Sequence, residues 1–121
     1  NEAHGFVFGN FVLKQEGALV KGCIRKVDRV ARVGADEFFV LLPETDLAGA
    51  EFVAERIRDT IQTHEHKSEK ESAKVTVSIG ICGVGPGEES GGISDCFRNS
   101  SEALRSAKVA GANRIEVFSF A

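Results

Sequence analysis

The 121-residue chain has no methionine, tryptophan or tyrosine, only two prolines and only three cysteines. It contains no apolar run of about 18 residues, which excludes a membrane-spanning helix within it. It also lacks an excess of positive charge. Fifteen Lys and Arg stand against eighteen Asp and Glu, a formal net charge of -3, which argues against a general binder of nucleic-acid polymers. Cys23, Cys82 and Cys96 are odd in number, widely spaced, and free of any CxxC or Cys/His ligand pattern. That spacing argues against a zinc site or a disulfide framework and points to free thiols in a reducing cytoplasm. No signal peptide is visible. The opening Asn-Glu-Ala-His, without an initiator methionine, suggests a segment of a longer protein.

What is present suits one domain. Hydrophobic residues make up 42% and charged residues 27%, ordinary values for a soluble globular chain long enough for a sizeable core. A helix is expected over residues 9–24, with Asn10 as its N-cap and Val12, Leu13, Leu19, Val20, Cys23 and Ile24 on one face. Gly17 inside it costs about 1 kcal/mol relative to alanine, so either something packs closely there or the helix is weak. Two β-rich runs, 28–33 and 38–42, flank Gly34-Ala35-Asp36-Glu37 and read as a hairpin. Thr45 or Asp46 caps a second helix to about Thr63, with Ala50, Val53, Ala54, Ile57 and Ile61 at helical spacing. The polar stretch 64–74 reads as an exposed loop, with His64 and His66 solvated. Val75, Val77, Ile79 and Ile81 alternate as a strand. A glycine-rich connection over 83–92 lacks the ending of a phosphate-binding P-loop. Ser94 caps a third helix through Lys108, Gly111 stops it, and residues 114–118 form a last strand. The order is α-β-β-α-β-α-β, a sheet covered by helices.

The stretch Arg32 to Glu44, RVGADEFFVLLPE, carries chemistry as well as a turn. Adjacent carboxylates at a hairpin tip suit a divalent cation, and magnesium prefers one or two carboxylates together with substrate phosphates. From residue types alone, a solvated acidic turn is the favoured reading, since Asp is a common turn residue. The surrounding residues narrow the choice. Arg-Val-Gly-Ala-Asp-Glu-Phe followed by Phe-Val-Leu-Leu-Pro resembles the signature of the GGDEF family, the diguanylate cyclase domains. NEAHGFVFGNFVL, VTVSIGI and EALRSAKVAGANRI resemble three further motifs of that family, in the same order and spacing.

The resemblance implies a nucleotidyl-cyclase-like (palm or ferredoxin-like) α/β fold, a mixed sheet covered by helices. It covers residues 1–121 as one GGDEF domain, N-terminally incomplete, with the family's first strand and that strand's metal-binding Asp missing from this segment. It further implies condensation of two GTP molecules into cyclic di-GMP across a homodimer, assisted by Mg²⁺. By position Asp36 is the metal ligand, and Asp36 and Glu37 are the catalytic carboxylates. Asn1 and Asn10 meet the guanine edge, Gly34 and Ala35 the phosphates at the turn, and Lys108 the phosphates as a point charge. Arg25-Lys26-Val27-Asp28 resembles the family's inhibitory Arg-x-x-Asp motif, with Arg56 where a supporting arginine falls. Arginine forks suit the phosphate and the guanine Hoogsteen edge of a cyclic dinucleotide.

The chain departs from the family pattern at several of these positions. Ala35 replaces the second glycine, Asn10 the guanine-binding Asp, and Ala112 the Arg after the final Gly. Ser101, Arg105 and Phe6 replace the family's Asp, Tyr and His. An amide at Asn10 offers one acceptor oxygen where a carboxylate offers two. The expectation is therefore a degenerate domain that senses cyclic di-GMP through Arg25, Asp28 and Arg56. The alternatives are an active cyclase with product inhibition at the same site, or an inactive GTP-binding or interaction domain. Sensory or phosphodiesterase domains are expected elsewhere in the same protein, with this segment cytoplasmic and making no membrane contact.

Overall fold

The computed structural model describes residues 5–34, 37–67, 72–83 and 92–117, with the backbone alone at 5–12, 73, 92 and 93. Among the described residues nine elements follow in order: α1 (Gly5–Cys23), β1 (Arg29–Arg32), β2 (Phe38–Leu41), α2 (Leu47–Thr63), β3 (Glu65–Lys67), β4 (Ser72–Lys74), β5 (Ile79–Ile81), α3 (Gly92–Val109) and β6 (Ile115–Val117). β1 and β2 pair antiparallel with Arg29 opposite Leu41 and Arg32 opposite Phe38. β3 and β4 form a second antiparallel hairpin, while β5 and β6 run parallel on either side of α3. The result is mixed α/β, as expected.

The core forms where α1 and α2 meet. Val20, Cys23, Ile57 and Ile61 are buried together, and Leu19, Val30, Val40, Val53, Val75, Val77 and Ile79 pack around them. The Cys23 thiol donates to Thr60 Oγ1 across this seam at 3.7 Å. The apolar positions anticipated on α2 are the inward ones, with Ala54, Ile57 and Ile61 buried. Asp46 caps the helix, its Oδ1 accepting from Gly49 N at 2.8 Å. Such a cap contributes about 1 kcal/mol.

Period-two alternation in β2 explains the paired phenylalanines, which point to opposite faces of the hairpin. Phe38 lies against α1, where a Cβ placed on Gly17 would come within 3.3 Å of its ring. Phe39 meets Phe97 of α3 edge to face, with ring centroids 5.2 Å apart. Of the two readings open for Gly17, the structure has the close approach. β5 lies closer still to α3. A Cβ on Gly80 would run into the backbone of Ser100 and Leu104, 2.7 Å from Leu104 Cα. Ala103 and Ala107, one turn apart on α3, are both buried.

Four local expectations need correction. α1 begins at Gly5, so Asn10 lies inside the helix and is not its N-cap. α3 begins at Gly92, which places Ser94 within the helix. The alternating run from Val75 joins a ladder only over Ile79–Ile81, because among the described residues no neighbouring strand reaches 75–78. The polar stretch after α2 contains the β3–β4 hairpin, and His66 is fully buried. His66 Nδ1 lies 2.9 Å from Gln15 Oε1 of α1, and its Nε2 has no partner among the described residues. Burial, aided by neighbouring His64, pushes the His66 imidazole below its ordinary pKa.

Candidate functional site

Those expected site residues that are described lie in two places. The first is the tip of the β1–β2 hairpin. Val33 N donates to Glu37 O at 2.9 Å, closing the ladder around residues 34–36. Arg32 Nε donates to Gly34 O at 3.2 Å, so the Gly34 carbonyl is held as the turn begins. The Glu37 carboxylate faces Lys108 Nζ at 3.6 Å, and both side chains are about half exposed. Two residues 71 positions apart, singled out separately in the sequence, therefore share one site. Lys108 stands in the last turn of α3, where the carbonyl end of a helix favours a cation.

The chain then turns sharply. Gly111 adopts φ +129, its N–H donating to Lys108 O at 3.4 Å, and Ala112 N donates to Ala107 O at 2.9 Å. This is a Schellman pattern, with glycine at the left-handed position. Ala112 and Asn113 continue with φ of 62 and 49. Asn113 tolerates this conformation, and it is tied down from two directions. Its N–H donates to Ser78 Oγ at 3.1 Å, and its Oδ1 accepts from Arg58 Nη1 at 3.1 Å. Arg58 also pairs with Glu55. Arg58, Asn113 and Ser78 were not singled out in the sequence. They tie α2 and the segment before β5 to the end of α3, where the sequence signalled only the helix stop at Gly111.

The second place is the corner between α1 and β1. Asp28 is buried, its side chain 1% exposed. Its Oδ2 accepts from Arg25 N at 2.7 Å and Arg25 Nε at 3.2 Å, and its Oδ1 accepts from Arg25 Nη2 at 2.8 Å. Arg25 Nη2 also donates to Pro43 O at 2.7 Å and Thr45 Oγ1 at 2.9 Å, joining the corner to the β2–α2 connection. The Arg25 guanidinium hydrogen-bonded to Asp28 holds that carboxyl below its usual pKa, and the same bond raises the pKa of Arg25. A cavity of about 440 Å³ opens here, lined by Lys21, Ile24, Arg25, Lys26, Asp28, Arg29 and Val30. Four cations to one buried carboxylate give the cavity a net positive lining. Arg56 is not among its lining residues. It reaches in beside it from α2, its Nη2 donating to Cys23 O at 2.8 Å.

Asn1, Ala35 and Asp36 lie outside the described residues, and so does the Asn10 side chain. Among the described residues no group of three or more acidic, Cys or His side chains is placed to hold a metal ion, and no helix is long and apolar enough to cross a membrane.

Comparison with known proteins adds a further finding. A family model described as the diguanylate cyclase GGDEF domain matches residues 1–114. The chain is 32% identical over 115 residues to Diguanylate cyclase A of Treponema denticola, which covers 95% of this chain and 30% of that protein. It is 35% identical over 117 residues to Diguanylate cyclase DgcP of Pseudomonas aeruginosa, covering 97% of this chain and 17% of that one. It thus spans less than a third of the length of these relatives. Among solved structures, the active GGEEF domain of a diguanylate cyclase from Vibrio cholerae superposes with a TM-score of 0.87 at 28% identity, over 100% of this chain and 75% of that one. The GGDEF domain of DgcB from Caulobacter crescentus shares the fold, with a TM-score of 0.86 at 23% identity over 97% of this chain and 68% of that one.

Proposed function

The chain belongs to the GGDEF diguanylate cyclase family, and from that premise we propose that it is a cyclic di-GMP receptor built on an altered cyclase site. The observation that carries this reading is the Arg25 corner. A buried, ionised Asp28 holds the Nε and Nη2 edge of the guanidinium, and the cavity beside it is lined with further cations. The ligand's phosphates and guanine edges meet Arg25, with Arg56 alongside and Asp28 fixing the arginine from behind. Ala35, Asn10 and Ala112, in place of the family's Gly, Asp and Arg, weaken the other site's hold on GTP.

The second reading is an active cyclase inhibited at the same corner, and the Glu37–Lys108 placement favours it. A carboxylate and an ammonium at 3.6 Å are close enough to attract, yet both remain open to substrate. The donor chemistry also fits Mg²⁺, a hard cation that takes carboxylate and phosphate oxygens. Asp36 and Glu37 would hold it, and when bound it would neutralise charge on the triphosphate. Asn1, Asn10, Gly34 and Ala35 would contact the nucleotide, and Lys108 would exchange Glu37 for a phosphate. In either reading the working form is a homodimer within a larger cytoplasmic signalling protein.

One pair of assays separates the readings. Calorimetric titration with cyclic di-GMP is expected to show binding that Arg25→Ala abolishes. Incubation with GTP and Mg²⁺, followed by chromatography, is expected to yield no cyclic di-GMP. Product that disappears in Glu37→Gln would replace the receptor by the product-inhibited enzyme. Absence of both binding and product would sink both readings.

A further inference from the structure

α2 turns Ala54, Ile57 and Ile61 into the core, yet the opposite face carries a large aromatic residue, Phe52, 68% exposed. The core does not account for it. Phe52 and Arg56 are four residues apart on that outer face, where i,i+4 side chains meet. The Arg56 Cζ lies 5.5 Å from the Phe52 ring centroid, within cation–π range. At its other side Arg56 donates from Nη2 to Cys23 O at 2.8 Å. The next residue, Ile24, is part of the cavity wall. One long side chain is therefore fixed at two points, beside a cationic cavity that has no aromatic group of its own.

A flexible arginine loses rotamer freedom when it grips a ligand, and prior fixing reduces that cost. Cations alone attract phosphate without regard to the base. A guanidinium backed by an aromatic ring presents a flat, weakly hydrated face on which a purine can lie. We infer that Phe52 is a positioning residue for Arg56, holding its guanidinium at the edge of the Arg25 cavity where it can meet the base of a bound nucleotide, so that the site prefers a purine nucleotide over phosphate alone. The inference rests on the receptor reading above and adds the residue that makes the site base-selective.

The chain has no tryptophan or tyrosine, so Phe52→Trp introduces its only strong fluorophore. Cyclic di-GMP is expected to quench that emission at the affinity calorimetry gives for the unaltered chain. Phe52→Leu should weaken cyclic di-GMP binding roughly fivefold, the scale of one cation–π contact. It should leave pyrophosphate binding and the melting temperature unchanged, and Phe52→Tyr should restore affinity. In an Arg56→Ala background, Phe52→Leu should have no further effect. If Phe52→Leu binds cyclic di-GMP as the unaltered chain does, or weakens it equally with Arg56 absent, the positioning role is wrong while the receptor reading stands. If the unaltered chain binds no cyclic di-GMP, both fall together.

Discussion

At the Arg25 corner the carboxylate is buried, accepts three hydrogen bonds from one residue, and leaves the guanidinium tied also to Pro43 and Thr45. At the hairpin tip the Glu37 carboxylate meets Lys108 at 3.6 Å with both side chains half in solvent. The same pair of charges is built rigidly in one place and loosely in the other. Exposed ion pairs contribute about 0–1 kcal/mol, because water and salt screen them. A buried carboxylate needs its donors, since removing them leaves a desolvated charge. The corner is thus pre-ordered before any ligand arrives. The tip holds two charged groups near each other and leaves both able to exchange partners.

The largest expected effect breaks this comparison on the tip side alone. Lys108 reaches Glu37 only because α3 lies against β5, and that contact depends on the missing side chain at Gly80. Gly80→Ala pushes a methyl group into backbone that cannot yield, so it should destabilise the fold by about 3 kcal/mol, the upper range for overpacking. Urea denaturation measures this. Cyclic di-GMP binding by the folded fraction should persist, because the Arg25 corner lies on α1, β1 and the β2–α2 connection.

Asp28→Asn tests the corner. An amide offers one acceptor oxygen and turns an NH₂ group toward the Arg25 donors, so the guanidinium loses its fixed pose. Calorimetry should show cyclic di-GMP binding weakened about tenfold, the scale of a lost charge-assisted fork. The pH dependence has a definite sign. The folded carboxyl titrates below its ordinary value of 3.8, so its stabilisation is complete above that pH and is lost only as pH falls through the lower folded value. The melting-temperature gap between the unaltered chain and Asp28→Asn should stay constant from about pH 7 to 5. It should narrow below 3.8. A gap that closes near neutrality would show that Asp28 is not held ionised by Arg25.

The smallest structural effect should come from Glu37→Gln, within about 0.5 kcal/mol of the unaltered stability, as befits a screened pair. A larger loss in denaturant titration would mean that the tip is as rigid as the corner.

Much of the architecture is legible from local pattern. The α2 face with its Asp46 cap, the β1–β2 hairpin and the Gly111 stop follow from helical spacing, alternation and turn chemistry. The site motifs also carry their own placement, since Arg25 and Asp28 are three residues apart and meet through one turn. Other features lack a local signal. His66 sits in a charged run, and nothing in its neighbours shows that the β3–β4 hairpin folds it against Gln15, 51 residues away. Asn10 looks like a cap by type, but α1 has already begun at Gly5.

By itself the sequence determined the three helices, the β1–β2 hairpin, the family and the identity of the candidate charges, because these depend on residue type and spacing over a few turns of chain. Only the tertiary structure decided which charges are buried and which stay wet, that Glu37 shares a site with Lys108, and that Arg56 is held between Phe52 and Cys23 O. Those outcomes depend on which surfaces the packing of α1, α2 and α3 removes from water. Desolvation belongs to the assembled chain and has no signature in any short stretch of it.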